Sequence, residues 1–370
     1  MKLHCQRSEL ASAFQIVNGV VPARTPKDIL KNVHLIATAD GCTLVGTDQE
    51  VGIRVDVGGI EVEEPGETLL PASRVISVLR ELTEPVVDLE LTEEGVLIRS
   101  GHSEFQLAAG DPAEFPPVSS FDDQPHYVLQ GDHLREAIRR TLFATDTEST
   151  RYALGGVLVE PGDGKLTLAA TDSRRLAVMP AACTAEGVDQ PENPQPVIPS
   201  KAMTLIERSI AEHDSPVQLA LHANDVLIRC GRSTIYARLV EGRFPRYSDV
   251  IPAESTYLVD LVVGPFYSAV RQSQIVTSDE SRGVDFTFAD GTLTLTSRAA
   301  DVGQARIELP IAWDHDPLTI TFDPRFVAEF LRVLPAEAAV QLHLIDESSA
   351  AVFRTDDGYA YVVMPLARDH

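Results

Sequence analysis

Residues 39–48 read ADGCTLVGTD, residues 162–172 read GDGKLTLAATD and residues 289–299 read ADGTLTLTSRA. Each is a glycine-containing turn leading into a short run of alternating apolar residues, the pattern of a hairpin strand buried on one face. The copies stand roughly one domain length apart. That is too far for a solenoid, whose units run to about 20–50 residues. Three similar domains in tandem are the reading that fits.

Other elements recur in the same order around these strands. An amphipathic helical stretch precedes each: SELASAFQIVNGVV from Ser8, GDHLREAIRRTLFAT from Gly131 and GPFYSAVRQSQIV from Gly264. Ser8 is a candidate N-cap for the first. A second helix follows each, entered through Pro with Ser or Asp beside it: LLPASRVISVLREL from Leu69, VIPSKAMTLIERSI from Val197 and TFDPRFVAEFLRVL from Thr321. A further strand block comes next, VLIRSGHSEFQLA from Val96, VLIRCGRSTIYARLV from Val226 and AVFRTDDGYAYVVMP from Ala351. The expected class is α+β, each domain a pair of helices packed on antiparallel sheet. The proline-bearing polar stretches VSSFDDQP and IPAEST set the expected domains at residues 1–121, 126–251 and 256–370. The acidic stretch CTAEGVDQPENPQP from Cys183 reads as a surface excursion.

Composition narrows the function. A chain of 370 residues with 44% hydrophobic content suits several globular cores. No stretch approaches the roughly 18 consecutive apolar residues of a membrane span. The start MKLHCQRSEL has no apolar region of signal type. Cys5, Cys42, Cys183 and Cys230 are scattered, without a Cys-x-x-Cys pair. Free thiols in a cytoplasmic protein are therefore expected, with no metal site and no cofactor. The formal charge is −24, from 31 Lys and Arg against 55 Asp and Glu. Taken alone that disfavours nucleic acid. The helices, however, hold much of the positive charge: Arg74, Arg80, Arg135, Arg139, Arg140, Lys201, Arg208, Arg271, Arg325 and Arg332. In HLREAIRR, Leu134 and Ile138 share one face, and Arg135 and Arg139 share another. One basic surface on an acidic body would attract phosphates without reading bases.

At this point the residues resemble a known family. GTDQEVGIRV at Gly46, RYALGGVLVE at Arg151, AATDSRRLAV at Ala169, LVEGRFPRYSDVIP at Leu239, SDESRGV at Ser278 and YVVMP at Tyr361 are similar to stretches of bacterial sliding clamps, the β subunits of DNA polymerase III. They occur in the family's order along the whole chain. The resemblance implies a head-to-tail homodimer closed into a six-domain ring, with helices lining a hole that holds double-stranded DNA. It implies a processivity factor with no enzymatic activity of its own. Its partners would be the replicative polymerase, repair proteins and a separate ATP-driven clamp loader.

Candidate DNA contacts, carried over by position or placed on the basic stripe, are Arg24, Lys27, Arg74, Arg135, Arg139, Tyr152 and Lys201. The resemblance also implies a hydrophobic groove for short partner peptides, gathered from Leu154, Thr171, Arg175, Leu176, Pro245, Val250, Phe326, Val363, Met364, Pro365 and Leu366. Ser173 and Arg174 stand where the family often has Gly and His, and Asp249 where some members carry Arg, which leaves groove specificity open. At the dimer seam, Phe105 and Leu107 would face Ile275 and Val276 of the other copy. Glu104 there and Arg298 and Arg306 in the third domain suggest a reversed ion-pair polarity. Two other classes compete. An enzyme would need a nucleophile and base, and the adjacent His102 and Ser103 would point to opposite faces of a strand. A scaffold that does not encircle DNA would lack retention on circular DNA.

Overall fold

The computed structural model describes residues 1–146, 148, 153–210, 215–278, 282–300 and 302–367. The six expected helices are present: α1 Arg7–Val17, α2 Ala72–Glu81, α3 Gly131–Thr141, α4 Ser200–Ser209, α5 Val263–Ser273 and α6 Pro324–Arg332. Their buried residues fall at helical spacing. In α1 these are Leu10, Ala13, Phe14 and Val17, and in α6 they are Pro324, Val327, Phe330 and Leu331. The α6 entry is as anticipated, since the Asp323 carboxylate accepts from the Arg325 backbone N–H at 3.0 Å. The α1 entry is different. Gln6 occupies the cap position and Ser8 lies inside the first turn, because the preceding strand runs directly into the helix.

Packing divides the chain into two compact units, residues 1–135 with 182–240, and residues 136–181 with 241–370. In the first, one sheet has the order Ile60–Glu64, Lys2–Gln6, Val86–Thr92, Gly95–Ser100, Ser103–Leu107. Its other sheet runs Thr184–Glu186, His126–Gln130, Pro216–Leu221, Asp225–Cys230, Ser233–Arg238, Val51–Val57, Gly41–Thr47, Asn32–Thr38, Gly66–Pro71. The first and second repeats are thus sewn into one sheet, with Ile235 opposite Ile53. Gly46 lets that sheet approach α1, for a Cβ there would lie 2.6 Å from Val17 Cγ1.

The second unit repeats the device. Its larger sheet includes, in order, Gly156–Gly162, Lys165–Thr171, Arg175–Ala182, Ala360–Val363, Ala351–Arg354, Ala339–Leu344 and Tyr257–Val262. Here Leu176 lies opposite Val362, which joins the second and third repeats. The smaller sheet is Gly303–Pro310, Thr292–Ala299, Val284–Ala289, Leu318–Phe322. Helices and both sheets contribute to an aromatic core: Phe266, Phe286, Phe322, Phe330, Phe353 and Tyr361 are all essentially inaccessible. Each such ring contributes about 1.5–3 kcal/mol by burial, and Phe330 stacks on Tyr361 with ring centres 4.8 Å apart. No helix among the described residues is long and apolar enough to cross a membrane.

Candidate functional site

Two hairpin turns with one sequence pattern organise the candidate residues. In the first unit, Thr47 Oγ1 donates to the Val51 carbonyl at 2.9 Å, and Asp48 Oδ1 accepts from the N–H groups of Glu50 and Val51 at 2.9 and 2.7 Å. In the second unit, Thr171 Oγ1 donates to the Arg175 carbonyl at 2.6 Å, and Asp172 Oδ1 accepts from Arg174 and Arg175 at 2.9 and 3.1 Å. The residue after each Asp is left-handed, Gln49 at φ 83° and Ser173 at φ 74°. A short Asp side chain bonding its own backbone is what holds such a turn. In both copies one carboxylate oxygen remains for another partner, and there the two turns diverge.

At the first turn the partner is Lys201 of α4, whose Nζ lies 2.5 Å from Asp48 Oδ2 and donates to the Val20 carbonyl at 3.1 Å. Lys27 Nζ donates to Gln49 Oε1 at 2.9 Å. Two of the candidate DNA contacts are therefore brought onto one turn. Arg24 and Arg74 are exposed in the same unit, and Arg135 is half-buried. Arg139 belongs to the other unit, exposed yet paired with Glu136 at 2.8 Å and donating to the Val333 carbonyl at 3.0 Å. Arg140, counted on the basic surface from sequence, is buried instead. Its guanidinium reaches Glu136 at 2.7 Å, Asp357 at 2.5 Å and the Tyr359 ring at 5.3 Å. Tyr152 lies outside the described residues.

At the second turn the partner is Arg175 itself, and it is the centre of the candidate groove. Nε donates to Asp172 Oδ2 at 2.9 Å, Nη2 to the Phe143 carbonyl at 2.8 Å, and Nη1 to Glu329. The guanidinium sits 4.6 Å from the Phe326 ring centre and 5.4 Å from that of Phe143. Burial opposes its charge, but neighbours including Glu329 and Asp172 outweigh that and hold its pKa above the ordinary arginine value. The chain end is threaded past it. Arg175 lies opposite Val363, Met364 N–H donates to the Arg174 carbonyl at 2.9 Å, and Leu366 N–H donates to the Thr321 carbonyl at 2.8 Å.

Leu154, Thr171, Leu176 and Val363 are buried, and so make walls and floor. Phe326, Pro365 and Leu366 are half-buried, while Met364 is 45% exposed. A cleft of about 400 Å³ adjoins Phe326, lined also by Asp146, Asp172, Arg174, Arg325 and Glu329. Pro245 and Val250 lie on a segment anchored separately, by buried Phe244 and by Tyr247, whose hydroxyl donates to Glu160 at 2.6 Å. Asp172, Phe143 and Glu329 were not among the sequence candidates. The repeated Thr-Asp pair carried a signal for Asp172, while Glu329 and Phe143 carried none. The seam candidates Phe105 and Leu107 lie on the terminal strand Ser103–Leu107, whereas Ile275 and Val276 lie in the 3-10 turn Gln274–Val276 that follows α5. Phe105 and Leu107 are half-buried, Ile275 is 74% exposed and Val276 is half-buried.

The match to known proteins runs along nearly the whole chain. The DNA polymerase III beta subunit profiles fit in order: the N-terminal domain over residues 1–119, the central domain over 128–246 and the C-terminal domain over 248–367. The beta sliding clamp of Caulobacter vibrioides is 30% identical, with 99% of this chain and 100% of that protein covered. That of Chlamydia trachomatis is also 30% identical, covering 99% and 87%. The crystal structure of the DNA polymerase III subunit beta from Pseudomonas aeruginosa superposes with a TM-score of 0.90 at 29% identity, covering 99% of this chain and 100% of that one. With three matched domains in series and two repeat-joining sheets built alike, the chain belongs to the DNA polymerase III beta subunit family, the bacterial sliding clamps.

Proposed function

We propose that two copies of this chain join head to tail into a ring of six similar domains, bounded in each copy at residues 1–121, 126–251 and 256–370. The chain is a DNA polymerase processivity factor, and the observation that carries this is the unbroken match of all three repeats to the clamp domains. The ring would hold duplex DNA topologically. Arg24, Lys27, Arg74, Arg135, Arg139, Tyr152 and Lys201 would touch phosphates only weakly; Arg24, Lys27 and Arg74 are exposed and Arg139 and Lys201 are paired with carboxylates, which suits a sliding contact. No bond is made or broken by the chain, and opening falls to a separate loader. Its place of work would be the cytoplasm.

The groove around Arg175 and Phe326 would take short peptides of polymerase, loader and repair proteins. Aliphatic walls and the flexible, exposed Met364 support a surface that repacks for several ligands. A clamp from Pseudomonas aeruginosa has been crystallised bound to griselimycin. Phe105 and Leu107 would meet Ile275 and Val276 across the seam, closing sheet edges that would otherwise invite aggregation. The test is retention on nicked circular DNA with the loader supplied. Clamp bound to the circle should survive high salt and be lost when the circle is linearised, whereas equal loss from both forms would reject the ring.

A further inference from the structure

The large apolar side chains left exposed fall into groups. Val250 and Met364 belong to the candidate groove, and Ile275 and Val302 lie beside the proposed seam. Val86, 43% exposed, stands singly at the start of the strand Val86–Thr92, and Leu258 and Val262, 52% and 50% exposed, belong to none of these. With the exposed Asp260 between them they line one face of the strand Tyr257–Val262, whose alternate residues Val259 and Leu261 are buried. Ala339–Leu344 pairs with one side of that strand. Among the described residues no strand pairs with the other.

The two other repeats show what belongs there. Lys2–Gln6 and His126–Gln130 lead into α1 and α3 as Tyr257–Val262 leads into α5. Each is covered on its outer side by an antiparallel strand, Ile60–Glu64 and Thr184–Glu186 respectively. Each cover sets a glutamate against a nitrogen-bearing side chain of the strand it covers. Glu63 lies 2.6 Å from Lys2 and 2.7 Å from His4, and Glu186 lies 3.4 Å from His126. In the third repeat the corresponding connection, residues 311–317, folds into an aromatic plug. Trp313 is only 6% exposed and packs 5.3 Å from Phe288 and 5.1 Å from Tyr257, while His315 lies 5.1 Å from Tyr257. The plug covers the Tyr257 end and leaves Leu258 to Val262 open.

We propose that this open edge takes an extended segment of a partner protein as an added antiparallel strand, one with a basic residue between two apolar ones at alternate positions. Strand addition supplies the affinity through backbone hydrogen bonds and the specificity through alternate side chains. Counting back from the helix start, Leu258 and Asp260 stand where the first repeat has Lys2 and His4. The charge requirement is thereby inverted: Asp260 calls for a cation opposite, and Leu258 and Val262 call for apolar neighbours. Asp260 accepts one bond from Gln341 Nε2 at 3.0 Å, and a carboxylate has room for more. The net charge of −24 adds a general pull on a basic segment. The surface is separate from the groove and does not depend on ring closure.

A fluorescein-labelled peptide with the core Val-Thr-Lys-Thr-Val is the probe, titrated against the full-length protein by anisotropy, with hydrogen exchange to locate it. Saturable binding should slow exchange across residues 257–262. Asp260→Lys should weaken binding about tenfold, and a peptide with Glu in place of Lys should bind that variant better than it binds the wild type. Absence of binding, protection at Met364 instead of 257–262, or equal affinity of the Lys and Glu peptides for the wild type would each overturn the proposal.

Discussion

Arg175 and Arg140 lie in the same repeat, and both carry a guanidinium below the surface. Neither was legible as buried. Arg140 follows the outward Arg139 and precedes a buried Thr141, and its partner Asp357 is 217 residues away. A local pattern cannot see such a pairing. Arg175 was legible as a groove residue by resemblance, while the fork that holds it depends on Glu329 from a different repeat. Arg175→Ala should cost about 3 kcal/mol, since it strips the cation from two carboxylates and opens space between two rings. Arg175→Lys should recover little of that, because an ammonium cannot serve three directions at once. Urea unfolding of the three proteins measures this, and a Lys variant as stable as wild type would refute the fork argument. Ser173 presents the opposite case. At φ 74° it sits where a side chain is strained, so Ser173→Gly should be neutral or stabilising by up to about 1 kcal/mol. A lower melting temperature for that variant would show that the turn is held by more than backbone geometry.

Elements were the most legible scale, and the reasons are physical. All six helices bury residues at three- and four-residue spacing, so periodicity alone marks them. The strand Thr184–Glu186 escaped because an edge strand needs no apolar alternation. Thr184, Ala185 and Glu186 are all exposed, and the segment reads as an acidic excursion. His102 likewise proves to lie in the turn after Gly95–Ser100, with the next strand beginning at Ser103. In the first repeat the edge strand has a pH signature. His4 is bonded by Asp88 through Nδ1 and by Glu63 through Nε2, and these two bonds, Asp88 first, raise its pKa above the ordinary 6.5. A raised histidine pKa means the folded state binds the proton more tightly. The stabilisation is complete below pH 6.5 and fades as pH rises through the raised folded value. Hydrogen exchange of the Lys2–Gln6 amides, corrected for intrinsic rates, should therefore show protection that holds below pH 6.5 and falls as the pH is raised above it. In His4→Gln that fall should vanish, and an unchanged pH profile would exclude His4 as its source.

At the scale of the molecule, the three tandem domains were legible from one repeated phrase, whereas the ring was legible only through the family resemblance. Repeats report what each domain buries, but a seam between copies is written in exposed residues that no periodicity marks. Ile275, at 74% exposure, is the apolar residue most in need of cover. Ile275→Asp should leave the melting profile nearly unchanged while shifting the protein to a monomer in sedimentation, since the charge is well solvated until the seam forms. A variant that still sediments as a dimer would remove Ile275 from the seam. The charge pattern makes a sharper demand. On the first-repeat edge Glu104 is held by Arg99 at 2.9 Å, and Arg99 also reaches Glu90 at 3.2 Å, so that face retains a surplus negative charge. On the third-repeat side Arg306 is paired with Glu308 at 2.7 Å, and Arg298 on the neighbouring strand is exposed, a cation a partner could meet. Opposite charges across an interface fix its register, and like charges oppose it. Glu104→Arg and Arg298→Glu should each weaken the dimer, and the two together should restore it. A double variant no tighter than either single one would show that these charges never meet.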